Sequence, residues 1–511
     1  MWLIVAVAIS TLLLARLAWF IASGWRIDQH LRVLPSPPGH LPLLGHALQM
    51  MRTSPFRLFA KWGSMYHGLC YFNAAGTRYV YMATPALIKR VLLTNVRNYG
   101  KDLSSFKQFM CLLGTGLVTS NGDKWRKGRL LLSHAMRIDV LELIPTVTLK
   151  ATEHMLRHLA DAKEPVDISE EFRHLTLKVI GQSVLSLSAD ECDRIFPRLY
   201  LPIAQECNER VWAPWRAFMP WLAAWQAQRR CVVELDAILV DLIRKRWALR
   251  QEERQQQAGG GSGATASFPH ARREDILDRC MSQLTECTRT IEIQLRDDIK
   301  TILLAGHETS AAALTWATVE VLKNPALAER LKAENTAVFG AYQDTIRNGE
   351  PNVPLDVCRQ LSFAPACLRE ALRRYNVVPL VMREALADDE IPASETGLSG
   401  PLVIPRGARV AIGIECIHMD PTYFPDPERY DPNRFVDMDK VDLWSFIPFI
   451  NGPRNCLGQH LSLLETQMVL SQLFGRLGDR LKLVTPPDVA STKHPYIVPV
   501  VPKDGVFVTC R

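Results

Sequence analysis

From Trp2 to Trp25 the chain is apolar at nearly every position, interrupted only by Arg16 and a few small polar residues. A helix of that length covers roughly 30 Å of hydrocarbon, so residues 1–25 are predicted to form an N-terminal membrane anchor in which Arg16 must snorkel or pair. LPSPPGHLPLLGH follows, Leu34 to His46, where four prolines restrict φ and withhold backbone donors. Residues 26–46 therefore read as a stiff, extended hinge, leaving 47–511 as the body. RYVYMATP reads as a strand and its breaker, with ALIKRVLL as a helix after it. Between about residue 123 and residue 375 the apolar positions recur at helical spacing, as in CVVELDAILVDLIRKRWALRQEE. QQQAGGGSGATASFPH, Gln255 to His270, has no such period and is expected to be a flexible surface loop. After residue 376 proline and glycine become denser and short runs such as GARVAIGI predict strands. The pattern is that of a mainly α protein with a small β-rich region, built as one body without internal repeats.

Composition narrows the class. At 511 residues, 48% hydrophobic and 22% charged, the chain buries a large core. Its net charge of +7 suits an anionic membrane surface or an acidic partner, whereas the absence of Lys/Arg runs interleaved with aromatics argues against nucleic acid. The twelve cysteines form no CxxC pair, which excludes zinc ribbons and plant-type iron-sulfur sites. No basic residue precedes the apolar run, while Arg26 and Arg32 follow it, placing the body on the cytosolic side. A cleaved signal peptide is the alternative.

One cysteine stands apart: Cys456 in PFINGPRNCLG, residues 448–458. A thiolate that ligates iron must be deprotonated, shielded, and met by backbone N–H groups, so its loop must bend tightly. Gly452 and Gly458 allow such a bend, Phe449 can pack beside the sulfur, and Arg454 offers a forked donor to a carboxylate. The spacing of Phe449, Gly452, Arg454, Cys456 and Gly458 resembles FxxGxRxCxG, the haem-binding loop of the cytochrome P450 family. That likeness implies the P450 fold behind a transmembrane helix, with haem b held through the Cys456 thiolate.

Further stretches carry the same resemblance in the family's order. AGHETS lies in an apolar helix, Leu295 to Leu322, that Gly306 and Thr309 would loosen locally; by likeness, Thr309 hydrogen-bonds the oxygen being activated and Glu308 relays protons. Glu370 and Arg373 in REALRR match ExxR, and Arg434 in YDPNRF supplies a third charge, implying a buried structural network. Trp125 and Arg129 match WxxxR and face a haem propionate, as Arg383 in VPLVMR would. Lys124, Arg126 and Lys127 are left to face an acidic electron donor or water.

The resemblance implies a haem-thiolate monooxygenase in the endoplasmic reticulum membrane, or alternatively a plastid membrane, that takes electrons from NADPH through a separate flavoprotein reductase. Only 55 residues follow Cys456, and none carry a flavin motif. The segments SSFKQFMCLLGTG, LYLPIAQECNERVWAPW and NVVPLVM are apolar and aromatic, which suits a lipid-like substrate. The wording of the motifs is similar to branches that include fatty-acid and carotenoid hydroxylases, with fatty acids preferred and a carotenoid or sterol as the alternative. A haem-thiolate isomerase or lyase needs no electrons, but relatives of that kind tend to lack the distal threonine.

Overall fold

The computed structural model describes residues 11, 15, 22–53, 55–136, 141–258, 274–484, 499–502 and 504–511. Most of the expected membrane span lies outside them; residues 22–31 are helical, and among the described residues no helix is long and apolar enough to cross a membrane. Most of the expected loop at 255–270 also lies outside, although the helix before it continues to Ala258. The chain forms two compact units, each assembled from separate segments.

The first unit takes in residues to Asp102, Val378–Arg429 and Val441–Asn455. Its five-stranded sheet has the order β1-β2-β8-β5-β3, with β1 Leu69–Ala74, β2 Thr77–Met82, β3 Tyr99–Lys101, β5 Leu380–Ala385 and β8 Arg409–Gly413. The β1–β2 hairpin closes over Ala75 and Gly76 at φ 49° and 81°, the left-handed pair that a two-residue turn requires. β8 then runs parallel to β2, Tyr79 opposite Arg409, and antiparallel to β5.

Period-two alternation divides the side chains between two clusters. Val80, Met82, Val410 and Ile412 meet Ile27, Leu31 and Leu34, whereas Tyr81, Phe72 and Ala411 meet Leu58, Phe59 and Trp62. The hinge is seated on this sheet rather than standing free of it. Tyr71 N–H donates to Pro35 O (2.9 Å), and buried His46 lies 2.9 Å from Pro37 O and 3.1 Å from Asn73 O.

The second unit, Leu103–Val377, Tyr430–Lys440 and Cys456–Arg511, is helical. The helices used below are α1 Gly122–Ala135, α2 Ile144–Asp161, α3 Ile168–Leu185, α4 Leu201–Trp212, α5 Ala223–Ala258, α6 Arg289–Leu322, α7 Pro325–Phe339, α8 Phe363–Arg374 and α9 Gln459–Leu477. α6 is buried along most of its length because its apolar residues lie on all sides rather than in one stripe. It starts on Thr288, whose hydroxyl accepts from Ile291 N–H.

α8 begins differently. Ser362 makes no side-chain cap, and instead the Glu334 carboxylate, from α7, accepts the N–H groups of Ser362 (2.7 Å), Phe363 (2.6 Å) and Ala364 (2.9 Å). A negative charge thus closes the positive end of a helix it does not belong to.

Candidate active site

In the second unit Cys456 is enclosed by protein on most sides, yet its side chain remains accessible. Burial raises its pKa, opposed by the backbone N–H groups of Gly458 and Gln459, which bond the sulfur, and by the Arg129 guanidinium. Those N–H groups are the donors an iron-bound thiolate needs. Gly458, at φ −87°, has a conformation open to any residue, so the expectation that it permits the bend is corrected; a Cβ there would meet no protein atom within 4 Å. Trp125 and Arg129 lie half-buried one turn apart on α1, and burial lowers the Arg129 pKa.

AGHETS sits mid-way along α6. Ala305 is exposed and Leu304, Gly306, Glu308 and Thr309 are half-buried, an opening in a helix that is otherwise covered. Gly306 is held close: a Cβ would come within 2.8 Å of Ile180 Cδ1 on α3. The expected loosening is absent. Thr309 Oγ1 donates to Ala305 O (2.6 Å), a bond back to the i−4 carbonyl that leaves the helical pattern intact. Glu308 is contacted on both oxygens, by Arg173 Nε (3.4 Å) and by His307 Nε2 (3.3 Å).

His307 was missed by the reading of the sequence, which assigned roles to Gly306, Glu308 and Thr309 only. It is fully buried, its Nδ1 lies 2.7 Å from Leu303 O, and its ring meets Tyr200 edge-on. The bond from Nδ1 to a carbonyl places the proton there and turns the Nε2 lone pair toward Glu308. Ser310 Oγ lies 2.9 Å from Ser462 Oγ, joining α6 to the helix that follows Cys456.

Glu370 and Arg373 form a fully buried forked pair: Nε donates to Oε2 (2.8 Å) and Nη2 to Oε1 (2.9 Å). Arg434 approaches Glu370 at 3.5 Å, and Asp431 N–H adds a bond to Oε1 (2.9 Å). Tyr430, which departs from the family's usual residue, donates its hydroxyl to Cys367 O (2.7 Å). On α1, Lys124 bonds Thr115 Oγ1 and Arg126 pairs with Asp123, leaving Lys127 among the exposed residues.

In the first unit Arg383 lies on the buried face of β5 between Val381 and Ala385. Its Nη1 donates to Met382 O (2.9 Å), while its Nε has no hydrogen-bond partner among the described residues. Burial, then the Arg454 charge, brings its pKa down to about 10. Two guanidiniums that repel each other, one with an orphaned buried donor, call for an anion, and a propionate carboxylate meets that need. Phe449 is half-buried. Gly452, at φ +84°, is required: a Cβ would lie 2.2 Å from Leu92 O.

The donor sets in each unit thus suit a haem with a sulfur ligand. A family model for cytochrome P450 matches residues 35–499. The chain is similar to human cytochrome P450 4F8 (26% identical, covering 92% of this chain and 89% of that protein) and to cytochrome P450 4c21 of Blattella germanica (26%, 92% of each). It is also similar to the chloroplastic cytochrome P450 97B2 of Glycine max (26%, 81% of this chain and 77% of that protein). With the match spanning nearly the whole chain, the protein belongs to the cytochrome P450 family of haem-thiolate monooxygenases.

Proposed function

We propose that this enzyme hydroxylates a lipid-like substrate, with a fatty acid preferred over a carotenoid or sterol, using electrons that a separate flavoprotein reductase draws from NADPH. The observation that carries the haem-thiolate chemistry is Cys456 with two backbone N–H groups on its sulfur and Arg129 beside it. Haem bound through that sulfur supplies the dioxygen-activating centre, the thiolate favouring O–O cleavage.

The chain's own residues do the rest. Trp125 and Arg129 would hold a carboxylate of the group, as Arg383 and Arg454 would, and Gly458 would leave room for it. Thr309 would offer its hydroxyl to the oxygen substrate at this opening; that hydroxyl now donates to Ala305 O (2.6 Å) and would have to turn from it to donate elsewhere. Glu308 hands on protons, and Arg173 holds the carboxylate for that task. Glu370, Arg373 and Arg434 brace the region without meeting substrate. The apolar segments at residues 104–116, 199–215 and 376–382 support a hydrophobic substrate. The apolar N-terminal run supports an anchor in the endoplasmic reticulum membrane; the chloroplastic relative gives a plastid membrane as the alternative.

Cys456→Ser is expected to abolish the long-wavelength Soret band of the reduced carbon-monoxide complex, and a retained band would mean another axial donor. Type I spectral shifts across fatty acids, sterols and carotenoids test the substrate class. Product formed without NADPH or reductase would overturn the monooxygenase reading in favour of an isomerase or lyase.

A further inference from the structure

Cys111 and Cys207 are 96 residues apart in sequence, yet their sulfur atoms stand 3.5 Å apart, within hydrogen-bond reach for two thiols. Cys111, in the short helix Met110–Leu113, is exposed; Cys207, in α4, is fully buried. Gln228, from α5, fixes the buried partner: its Nε2 donates to Cys207 Sγ (3.3 Å) and also lies 3.3 Å from Ile203 O. Cys456 is the residue proposed to hold the haem iron, and Cys70, Cys192, Cys280, Cys358 and Cys367 are buried thiols whose acidity burial suppresses.

We propose that Cys111 and Cys207 form a peroxide-responsive modification site, in which oxidation of the exposed thiol leads to a disulfide with the buried one and tethers the Met110–Leu113 turn to α4.

The asymmetry of the pair supplies the chemistry. The S–H of Cys207, then the Arg210 charge and the backbone N–H groups of Cys111 and Leu112, bring the Cys111 pKa down to about 7. Arg210 gives its Nε to Glu206 (3.0 Å), while its buried Nη2 has no hydrogen-bond partner among the described residues. Cys207 is shifted well upward, by its bond to Cys111 and by burial, and keeps the proton. The accessible sulfur is thus the nucleophile and the buried one the resolving thiol.

With hydrogen peroxide as oxidant, the Cys111 thiolate attacks one peroxide oxygen; the S–O bond forms, the O–O bond breaks, and hydroxide leaves and is protonated to water. Cys207 loses its proton and attacks the resulting sulfenic sulfur; the S–S bond forms and the S–O bond breaks, releasing a second water. Two thiols and one peroxide give one disulfide and two waters. At 3.5 Å the sulfurs need to close by about 1.5 Å to reach bonding distance, a step that side-chain rotation on the short helix supplies.

The test uses the full-length, haem-loaded protein treated with equimolar hydrogen peroxide and, separately, with the dithiol oxidant diamide. Non-reducing peptide mapping should find one linked pair of peptides, carrying Cys111 and Cys207, lighter by two hydrogens than their sum and separated by dithiothreitol. In Cys207→Ser, dimedone should label Cys111; Cys111→Ser should give neither product. Amide hydrogen exchange over residues 110–113 and 201–212 should slow in the oxidised protein and recover on reduction. The proposal fails if Cys111 is oxidised while Cys207 remains a free thiol, if the link joins other cysteines, if neither thiol reacts, or if exchange is unchanged by the link. None of these readouts depends on turnover, so each stands whatever the substrate proves to be.

Discussion

Gly452 and Gly458 occupy equivalent-looking places in the cysteine loop and should behave differently when given a methyl group. Gly452→Ala forces a residue into φ +84° with its Cβ against the Leu92 carbonyl, which costs roughly 1–3 kcal/mol for the backbone alone. Its denaturation midpoint should fall with or without haem. Gly458→Ala strains nothing in the protein, so apoprotein stability should hold while the haem content of the purified enzyme drops. Equal loss in both variants would show that Gly458 serves the chain and not the cofactor.

The Glu370–Arg373 fork is fully buried, and removing Arg373 leaves Glu370 with only the longer Arg434 contact and the Asp431 N–H, a loss of about 3–5 kcal/mol. Arg373→Ala should therefore yield little folded protein, seen as loss of soluble expression or of the cooperative unfolding transition. Arg434→Ala, at a longer and partly exposed contact, should be milder.

Between α6 and α3 the contact is set by a missing side chain. Gly306→Ala places a Cβ 2.8 Å from the tip of Ile180, and overpacking of that kind costs about 1–3 kcal/mol. Because the clash is with a side chain rather than backbone, pairing it with Ile180→Val should recover part of the loss; simple additivity in denaturant titrations would argue that Gly306 is needed for another reason.

Elements of this kind were legible from sequence where chemistry and periodicity coincide. The strand ending at Met82, the long AGHETS helix and the ExxR helix all follow from local pattern. Two features were hidden. The parallel pairing of β2 with β8 joins residues more than three hundred positions apart, which no local pattern encodes. His307 was hidden in plain view: the reading of the motif rested on its neighbours Glu308 and Thr309, and only the packing of Tyr200 and Glu308 against it marks the ring as part of the cluster. The loosened helix was expected from composition, yet a Thr hydroxyl can bond the i−4 carbonyl without disturbing the backbone, and here it does.

At the scale of the whole molecule, buried carboxyls set the response to pH. Glu465 on α9 is fully buried with neither carboxylate oxygen hydrogen-bonded among the described residues, and burial holds its pKa well above the ordinary range; Asp298 is raised to about 6, chiefly by burial. The folded protein keeps protons that the unfolded chain releases above about pH 4, so stability falls as pH rises. For Asp298 that decline ends near pH 6, whereas for Glu465 it continues past it, at up to about 1.4 kcal/mol per pH unit for each group. Glu465→Gln should flatten the curve of denaturation midpoint against pH from about pH 4 upward, including above pH 6 where Asp298 no longer contributes, and leave the slope below about pH 4 unchanged. An unaltered slope would mean that Glu465 is ionised in the folded state.

The Glu334 carboxylate that receives the first amides of α8 implies an order of assembly. A short helix whose opening turn is completed by a different segment gains little from forming alone, because nucleation is the unfavourable step. α8 therefore sets only once α7 is docked, and the charged brace it carries matures late. A newly made chain would form its hydrophobic clusters before Glu370 is matched to Arg373, and Glu334→Ala, removing a contact made late, should speed unfolding more than it slows refolding.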